Sequence, residues 1–573
     1  MKRTLIFAFA VTATFALAQD PIVSAQQRIS LDNLSTFQNE TSAVSSANGQ
    51  EIIGGWNDYR SDGSIKAGFG VTSDGGATWA HVLVRPPVAN QATVEGDPMA
   101  FVDPRTGTIF AGAISFAGNG GIYIAKKTPG QNTFGPSVMA RTNGSTDKEW
   151  GCAGPLPGNP DTTRLYIAFN QGIIRSDNLG TTWTTPLSLG SGLGFLPRVG
   201  PNGEVYVTYW DTSLGIKFRR SLDGGLTFNP AINAATRLAT WGVQNYGIPG
   251  QFRDAPIHTM AVNPVTGAIV IVYFDQTNIV NGQRNLDLYL TRSTNQGTSW
   301  STPTRLFRPI NQVSDMIFPW VEYTKDGRLH LIAFDTSNNL NQTDGLVNGF
   351  FDQTYWYSQD DGQNFSNGVR LGPSSWNAAT GNFAFMGDYQ GIAISDKSVF
   401  PMYPDTRPGQ SKAFVNKIYN PIERPASFSL FRGILVGGTL NSLFAKDNDA
   451  MVVKRGPTVN SSEAPIQLET TTVGILSSNP TSLKVFLWTS VGSVNIQQQV
   501  QMFNINTSQW DVVDTRPATT TESNTDVVVP TPVNYITPGS GTARCRVAFK
   551  SIGPVSNSAW TATINQDVLL VVP

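Results

Sequence analysis

Cysteine and histidine are both scarce in this 573-residue chain, which has two of the first, Cys152 and Cys545, and three of the second, His81, His258 and His330. Three histidines without an HExxH-type spacing argue against a histidine-based zinc site. The two cysteines lie far apart and read as belonging to different domains, so they form either one interdomain disulfide or two separate thiols, free or buried. Charge is low, at 14% of residues, and the formal net charge of −1 excludes a broad electrostatic attraction to nucleic acid or to an anionic membrane. After the N-terminal apolar run no stretch approaches the roughly 18 to 20 uninterrupted apolar residues of a spanning helix, so no anchor of that kind is expected.

That N-terminal run follows Met1-Lys2-Arg3 and ends at the small-residue site Ala16-Leu17-Ala18, the pattern of a secretory signal peptide cleaved near Ala18. The mature protein is therefore expected to be exported and soluble. Its length calls for two or more domains. The 55 glycines and 35 prolines, with abundant Ser, Thr, Asn and aromatic residues, call for an all-β chain rich in turns.

One turn signature recurs: Thr72-Ser73-Asp74-Gly75-Gly76-Ala77-Thr78-Trp79, then residues 176–183, 221–228, 293–300 and 358–365. Each copy places Ser or Thr four residues before a Gly, Asp or Asn two before it, and Trp or Phe three after it. The positions are Asp74, Gly76 and Trp79; Gly180 and Trp183; Asp223, Gly225 and Phe228; Gly297 and Trp300; and Asp360, Gly362 and Phe365. An Asx side chain at that spacing accepts from the turn's own backbone N–H groups, the glycine supplies the positive φ, and the aromatic folds back on the hairpin. A decayed sixth copy at 128–134 keeps Gly130 and Phe134 with one extra residue between them.

Between signatures a larger unit repeats, namely a loop ending in charged residues, a strand, a turn, a second strand ending in aromatic-Asp, and a third strand into the signature. Four strands per unit select a propeller over a solenoid. Seven units are counted, six being the alternative, and residues 27–34 are expected to supply the missing strand that closes the ring. From Asn420-Pro421-Ile422-Glu423-Arg424-Pro425 onward the signature stops and alternating strands follow. The expected organisation is a signal peptide over 1–18, a propeller over 19–419, a linker over 420–427 and an antiparallel β-sandwich over 428–573.

The signature resembles the Asp-box of the sialidase-like β-propellers, and the second domain resembles C-terminal modules appended to bacterial secreted proteins. The resemblance implies a glycan or polysaccharide partner and a site on the face opposite the boxes, where inner strands begin. Those starts carry Glu40, Glu95 with Asp97, Lys148 with Glu149, Arg198, Arg253 with Asp254, Asp315, and Asp388 with Tyr389. The candidates for acid/base work are Asp97, Asp254, Asp315 and Asp388 with the phenol of Tyr389; those for substrate binding are Glu149, Arg198, Arg253 and Arg407. The repeated ends Trp210-Asp211, Phe274-Asp275 and Phe334-Asp335 read instead as blade caps. Sialidases use an arginine triad whose first member precedes the first box, but here that strand reads Asn39-Glu40-Thr41-Ser42-Ala43 without arginine. Two readings follow: a secreted glycan-engaging protein acting as an exo-glycoside hydrolase, or a non-catalytic surface-binding, adhesion or envelope protein. No cofactor is expected, although a divalent cation such as calcium would suit an acidic axis.

Overall fold

The computed structural model describes residues 21–572 apart from 89–93, 144, 214, 239–254, 281–282, 308–313, 339–349, 380–384, 397, 420–421, 445, 447–448, 461, 476–477 and 555–558, and apart from the side chains of 22 and 277–284. The N-terminal segment read as a signal peptide lies outside them. Regular structure is β except for 3-10 turns such as Asn441–Leu443 and Pro532–Asn534, and no helix among the described residues is long and apolar enough to cross a membrane. The chain divides into two compact units, Val23–Tyr419 and a second that contains Asn420–Pro573.

Among the described residues, Val23–Tyr419 holds seven small antiparallel sheets. Their first strands are Ser35–Ser45, Glu95–Val102, Trp150–Leu156, Leu193–Val199, Thr259–Val262, Met316–Tyr323 and Gly391–Ile394. Each touches the next, and Gly391–Ile394 touches Ser35–Ser45, so the sheets close into a ring. Gln27–Arg28 lies antiparallel to Lys412–Val415 in the last sheet, with Gln27 opposite Val415. Just beyond it the fully buried Ile29 packs with Trp56 and Trp79 from the first sheet and Phe400 and Met402 from the last. N-terminal and C-terminal segments thus share one apolar core, and the ring has no open edge at that junction.

The five boxes have one geometry. The glycine N–H donates to the leading hydroxyl: Gly76 to Thr72 at 3.2 Å, Gly180 to Ser176 at 3.0 Å, Gly225 to Ser221 at 2.7 Å, and Gly297 to Ser293 and Gly362 to Ser358 at 2.9 Å each. The Asx oxygen accepts from the residue four places on, as when Thr78 donates to Asp74 at 2.9 Å and Asn364 to Asp360 at 2.8 Å. The residue before the glycine is also left-handed, even where it is Leu179, Gln296 or Asp361. The aromatic is fully packed only in the first box: Trp79 is buried, whereas Trp183, Phe228, Trp300 and Phe365 are half-buried. The reason is visible at Trp79, which the closing strand covers and whose indole N–H donates to Gln27 at 3.3 Å.

In the second unit, two antiparallel sheets share one buried core, to which Leu468 and Val547 contribute from one sheet and Leu483, Val485 and Ile564 from the other. Ser482–Val491 and Ile496–Asn504 alternate strictly between buried and half-buried residues, as strands with one face in a core must. Both cysteines are free and buried, Cys152 in the first unit and Cys545 in the second, and burial pushes the Cys152 thiol up to about 12.

Because burial decides the cost of truncation, Trp79→Ala should destabilise the protein by about 3 to 4 kcal/mol and Trp300→Ala by about half as much. Urea unfolding of the two variants measures the difference, and equal losses would contradict the covering role of the closing strand.

Candidate functional site

Four of the inner strands share a local irregularity that determines what reaches the axis. Register slips between Asn39 and Ser42, Gly96 and Met99, Leu193 and Leu196, and Ile317 and Trp320. Within each slip one residue is left-handed: Glu40 (φ 50°), Asp97 (φ 52°), Gly194 (φ 69°) and Phe318 (φ 50°). Lys148 (φ 51°) and Gly387 (φ 102°) have the same conformation just ahead of their strands. For a residue with a Cβ this costs roughly 1 to 3 kcal/mol, so three charged side chains here are held against their local preference. At Gly387 only glycine fits, because a Cβ would stand 2.7 Å from the backbone nitrogen of Glu40.

The result is a cluster centred on one ammonium. Lys148 Nζ lies 2.8 Å from Glu40 Oε1, 3.1 Å from Asp97 Oδ1 and 2.9 Å from Asp388 Oδ2. Asn57 donates to Glu40 Oε2 at 2.6 Å and accepts from the Asp97 backbone N–H at 3.0 Å, while Lys148 N–H donates to Asp97 Oδ2 at 3.2 Å. The Tyr389 hydroxyl donates to Asp97 Oδ1 at 3.3 Å, and the ammonium lies 5.1 Å from the centre of the Tyr389 ring. Glu149 sits next in the chain, buried, with neither carboxylate oxygen accepting a hydrogen bond from another residue.

Three carboxylates around one ammonium would leave a buried net charge of −2 if all were ionised. Burial, reinforced by Asp97 and Asp388 and opposed by Lys148, pushes the Glu40 carboxyl up to about 8, so at neutral pH it keeps its proton. Burial acts upward on Asp97 too, but Lys148 and the Glu40 hydrogen bond outweigh it and hold that group below its usual range. Burial, then Asp97, pushes Glu149 well up, and burial with the surrounding carboxylates does the same to the Tyr389 phenol. A phenol held so firmly protonated is a poor nucleophile.

Of the residues expected at the site, the cluster therefore gathers Asp97, Glu149, Asp388 and Tyr389. Arg253 and Asp254 lie outside the described residues. Arg198 is not at a strand start: it is the sixth residue of Leu193–Val199, where its guanidinium meets Glu322 Oε1 at 2.6 Å, and Gly194 takes the axial place. Asp315 does precede its strand, but the bulge moves the axial position on to Phe318, and the Asp315 N–H donates to Thr336 at 2.7 Å. Arg407 is held at its own strand end by Asp405 and Gln26. Two of the aromatic-Asp ends cap their own turns, Asp211 accepting from Ser213 N–H at 3.0 Å and Asp335 from Ser337 N–H at 2.7 Å, whereas Asp275 accepts from the Leu238 N–H. Glu40 and Lys148 were visible among the polar strand starts but carried no signal of being its centre.

On the axis, where a divalent cation would suit clustered carboxylates, the ammonium of Lys148 compensates them. A second convergence, Asp32, Asp58 and His81, has ligand atoms within 4.8 Å of one another. Arg60 Nη2 already lies 2.9 Å from Asp32 and 2.6 Å from Asp58, so a guanidinium fills that place. Burial pushes His258 and His330 down to about 3, and both stay neutral.

No protein-family model matches the chain, and no curated protein sequence does. Among solved structures, it is similar to a protein of unknown function from Dyadobacter fermentans, at 13% identity over 70% of this chain and 99% of that one, with a TM-score of 0.40. A Penicillium chrysogenum alpha-L-arabinanase is similar at 10% identity over 70% and 99%, with a TM-score of 0.39. The Hadza microbial sialidase Hz136 is similar at 17% identity over 68% and 67%, with a TM-score of 0.36.

The raised Glu40 group makes the native state bind a proton that the unfolded chain has released. Its contribution is fully present below the ordinary carboxyl value of 4.5 and is lost as pH rises through about 8, after which it no longer changes. Glu40→Gln should remove that loss, so the melting temperature of the variant should gain on the wild type as pH rises across this window. Parallel pH profiles for the two proteins would show that Glu40 is ionised throughout.

Proposed function

We propose that the chain is a secreted protein in which 1–18 is a cleaved signal peptide, 19–419 a seven-bladed sialidase-like propeller, 420–427 a linker and 428–573 a β-sandwich. The propeller engages an extracellular glycan, or a similarly polar polymer, on its axial face. Closure of the seven sheets by Gln27–Arg28 supports the blade count, and the core shared by two sheets supports the sandwich.

The observation that carries the functional reading is a pair of carboxyls on one ammonium with opposite proton preferences: Glu40, protonated up to about 8, and Asp97, held ionised. Environments that push two carboxyls apart in this way assign one as acid and the other as base, and because the two share a hydrogen bond, hydrolysis would require a substrate to part them to the roughly 5 to 9.5 Å that glycosidases use. Glu40 is then the proton donor and Asp97 the ionised partner. Lys148 keeps Asp97 charged, and Tyr389 and Glu149 stand beside it to bond sugar hydroxyls. The sialidase route is not supported, because Arg198 is committed to Glu322 and Arg407 to Asp405, away from Tyr389.

A second reading, a non-catalytic binding or adhesion protein, is favoured by how closed the cluster is. All three ammonium hydrogens face carboxylates, and Glu40, Asp97, Lys148, Asp388, Glu149 and Tyr389 are each at most 5% exposed. The cluster would then stiffen the hub of a platform.

Incubation of the full chain with a panel of extracellular polysaccharides, scored separately for released reducing sugar and for retention, divides the two. The hydrolase reading expects release that falls at least about 100-fold in Glu40→Gln and in Asp97→Asn while retention persists. Retention without release in the wild type selects the binder, and neither release nor retention contradicts both.

A further inference from the structure

In the second unit, one sheet runs in the order Ser427–Arg432, Ile466–Thr472, Ala543–Ser551, Ile496–Asn504 and Gln509–Pro517. On its three middle strands the inward positions fill the sandwich core, and the outward ones, apart from the small Ala548, are half-buried, as on a sheet face that water reaches. The outward residues of two neighbouring strands stand in register: Gln497 opposite Lys550, Gln499 opposite Ala548 and Gln501 opposite Arg546. Arg544 and Phe503 follow at the same end as Arg546.

This face has a local surplus of positive charge. Across the chain 40 cationic residues balance 41 anionic ones, but here Glu469 alone serves two guanidiniums, lying 3.1 Å from Arg544 Nη2 and 2.6 Å from Arg546 Nη2. The Lys550 ammonium has no ion-pair partner among the described residues, while Arg432 at the sheet edge is matched by Glu463 at 2.9 Å. Aromatic rings hold the guanidiniums in place: Arg546 lies 4.0 Å from the Trp510 ring centre, and Arg544 lies 4.5 Å from that of Phe503 and 5.0 Å from that of Trp510. Arg546 spends its donors on Glu469 and Gln501. Arg544 gives only Nη2 to Glu469, and its side chain is 39% exposed. Between the cations, Gln501 donates to Gln499 and Gln499 to Gln497 at 3.4 Å each, long enough for a better acceptor to displace them.

From this arrangement we propose that the outward face of the sheet binds a carboxylated polysaccharide laid along its central strands. Arg544 and Lys550 are six residues apart on one strand, roughly 20 Å, so they meet sugar carboxylates at two places separated by several rings. Charge-assisted hydrogen bonds form at both ends. The amides of Gln497 and Gln499 lie between and offer each sugar hydroxyl a donor and an acceptor. Nucleic acid fits less well, because its closely spaced phosphates call for many cations and this face has a surplus of two. The inference rests on the second unit alone, whether or not the propeller holds or cuts a glycan.

Calorimetry and gel retardation of the full chain with polygalacturonate, alginate and hyaluronate test it, with neutral galactan and a DNA oligonucleotide as comparisons. Binding of at least one carboxylated polymer is expected, falling as salt is raised. It should weaken roughly tenfold in Arg544→Gln and in Lys550→Gln. Lys484→Gln, which removes the same charge from the other sheet, should leave it unaltered. Melting curves check that each variant is folded, and Lys550→Gln, which breaks no ion pair, carries the test should Arg544→Gln prove unstable. Absence of binding to every carboxylated polymer, binding that both face variants leave unchanged, or an equal loss in Lys484→Gln overturns the proposal. Galactan bound as well as the charged polymers overturns it too, and tighter binding of the DNA does so in favour of nucleic acid.

Discussion

The contact on which the hub depends is that of one ammonium with three carboxylates drawn from other parts of the chain. Glu40, Asp97, Lys148 and Asp388 come from the beginnings of four different sheets, and Glu40 and Asp388 are separated by almost the whole first unit. Apolar packing between neighbouring sheets is forgiving of small rotations, whereas an ammonium with three acceptors at 2.8 to 3.1 Å is not. Burying four ionisable groups is expensive, and such a cluster adds less to stability than an apolar plug of equal volume. Its contribution is geometric, in that it sets how the first, second, third and last sheets meet at the axis. The proton retained on Glu40 lowers the buried charge that makes the arrangement costly.

The boxes and this cluster divide the work along a line visible in the chain itself. Residues that recur from sheet to sheet, such as the box Asx and glycine, bond within their own turns, as do Asp211 and Asp335 at two of the aromatic-Asp ends. Positions that are structurally equivalent but chemically different carry the chemistry: the left-handed axial place is Glu, Asp and Lys in three sheets, glycine in two and Phe in another. The repetition builds the frame, and the variation at one repeated place furnishes it. Two residues further on, the same logic places Trp150, Trp320 and Tyr389 as a layer across the channel.

Much of the frame was legible because its signals are local. A turn of eight residues with fixed hydroxyl, Asx, glycine and aromatic positions contains all its own bonding partners, so spacing alone reveals it. The axial residues were only half legible. Charged strand starts marked Asp97, Glu149 and Asp388, but the bulge that decides which residue faces the axis is a backbone event with no fixed residue type. That is why Arg198 and Asp315 were expected there and Gly194 and Phe318 stand in their place. Lys148 as the centre was not legible at all, since its three partners lie 108, 51 and 240 residues away and only the closed ring brings them together. The uneven burial of the box aromatics has the same origin: Trp79 differs from Trp300 through the closing strand, which no local pattern around either residue encodes.

The most direct test of this account is the unfolding free energy of Lys148→Met, followed by tryptophan fluorescence in urea at pH values well below and well above the Glu40 transition near 8. Removing the ammonium leaves buried carboxylates without a counter-charge, so the account predicts a loss of about 3 to 5 kcal/mol on the alkaline side and a smaller one on the acid side, where the carboxyls can take up protons instead. A loss below about 1 kcal/mol, the same at both pH values, would contradict it and show that the sheets hold their places through apolar packing alone.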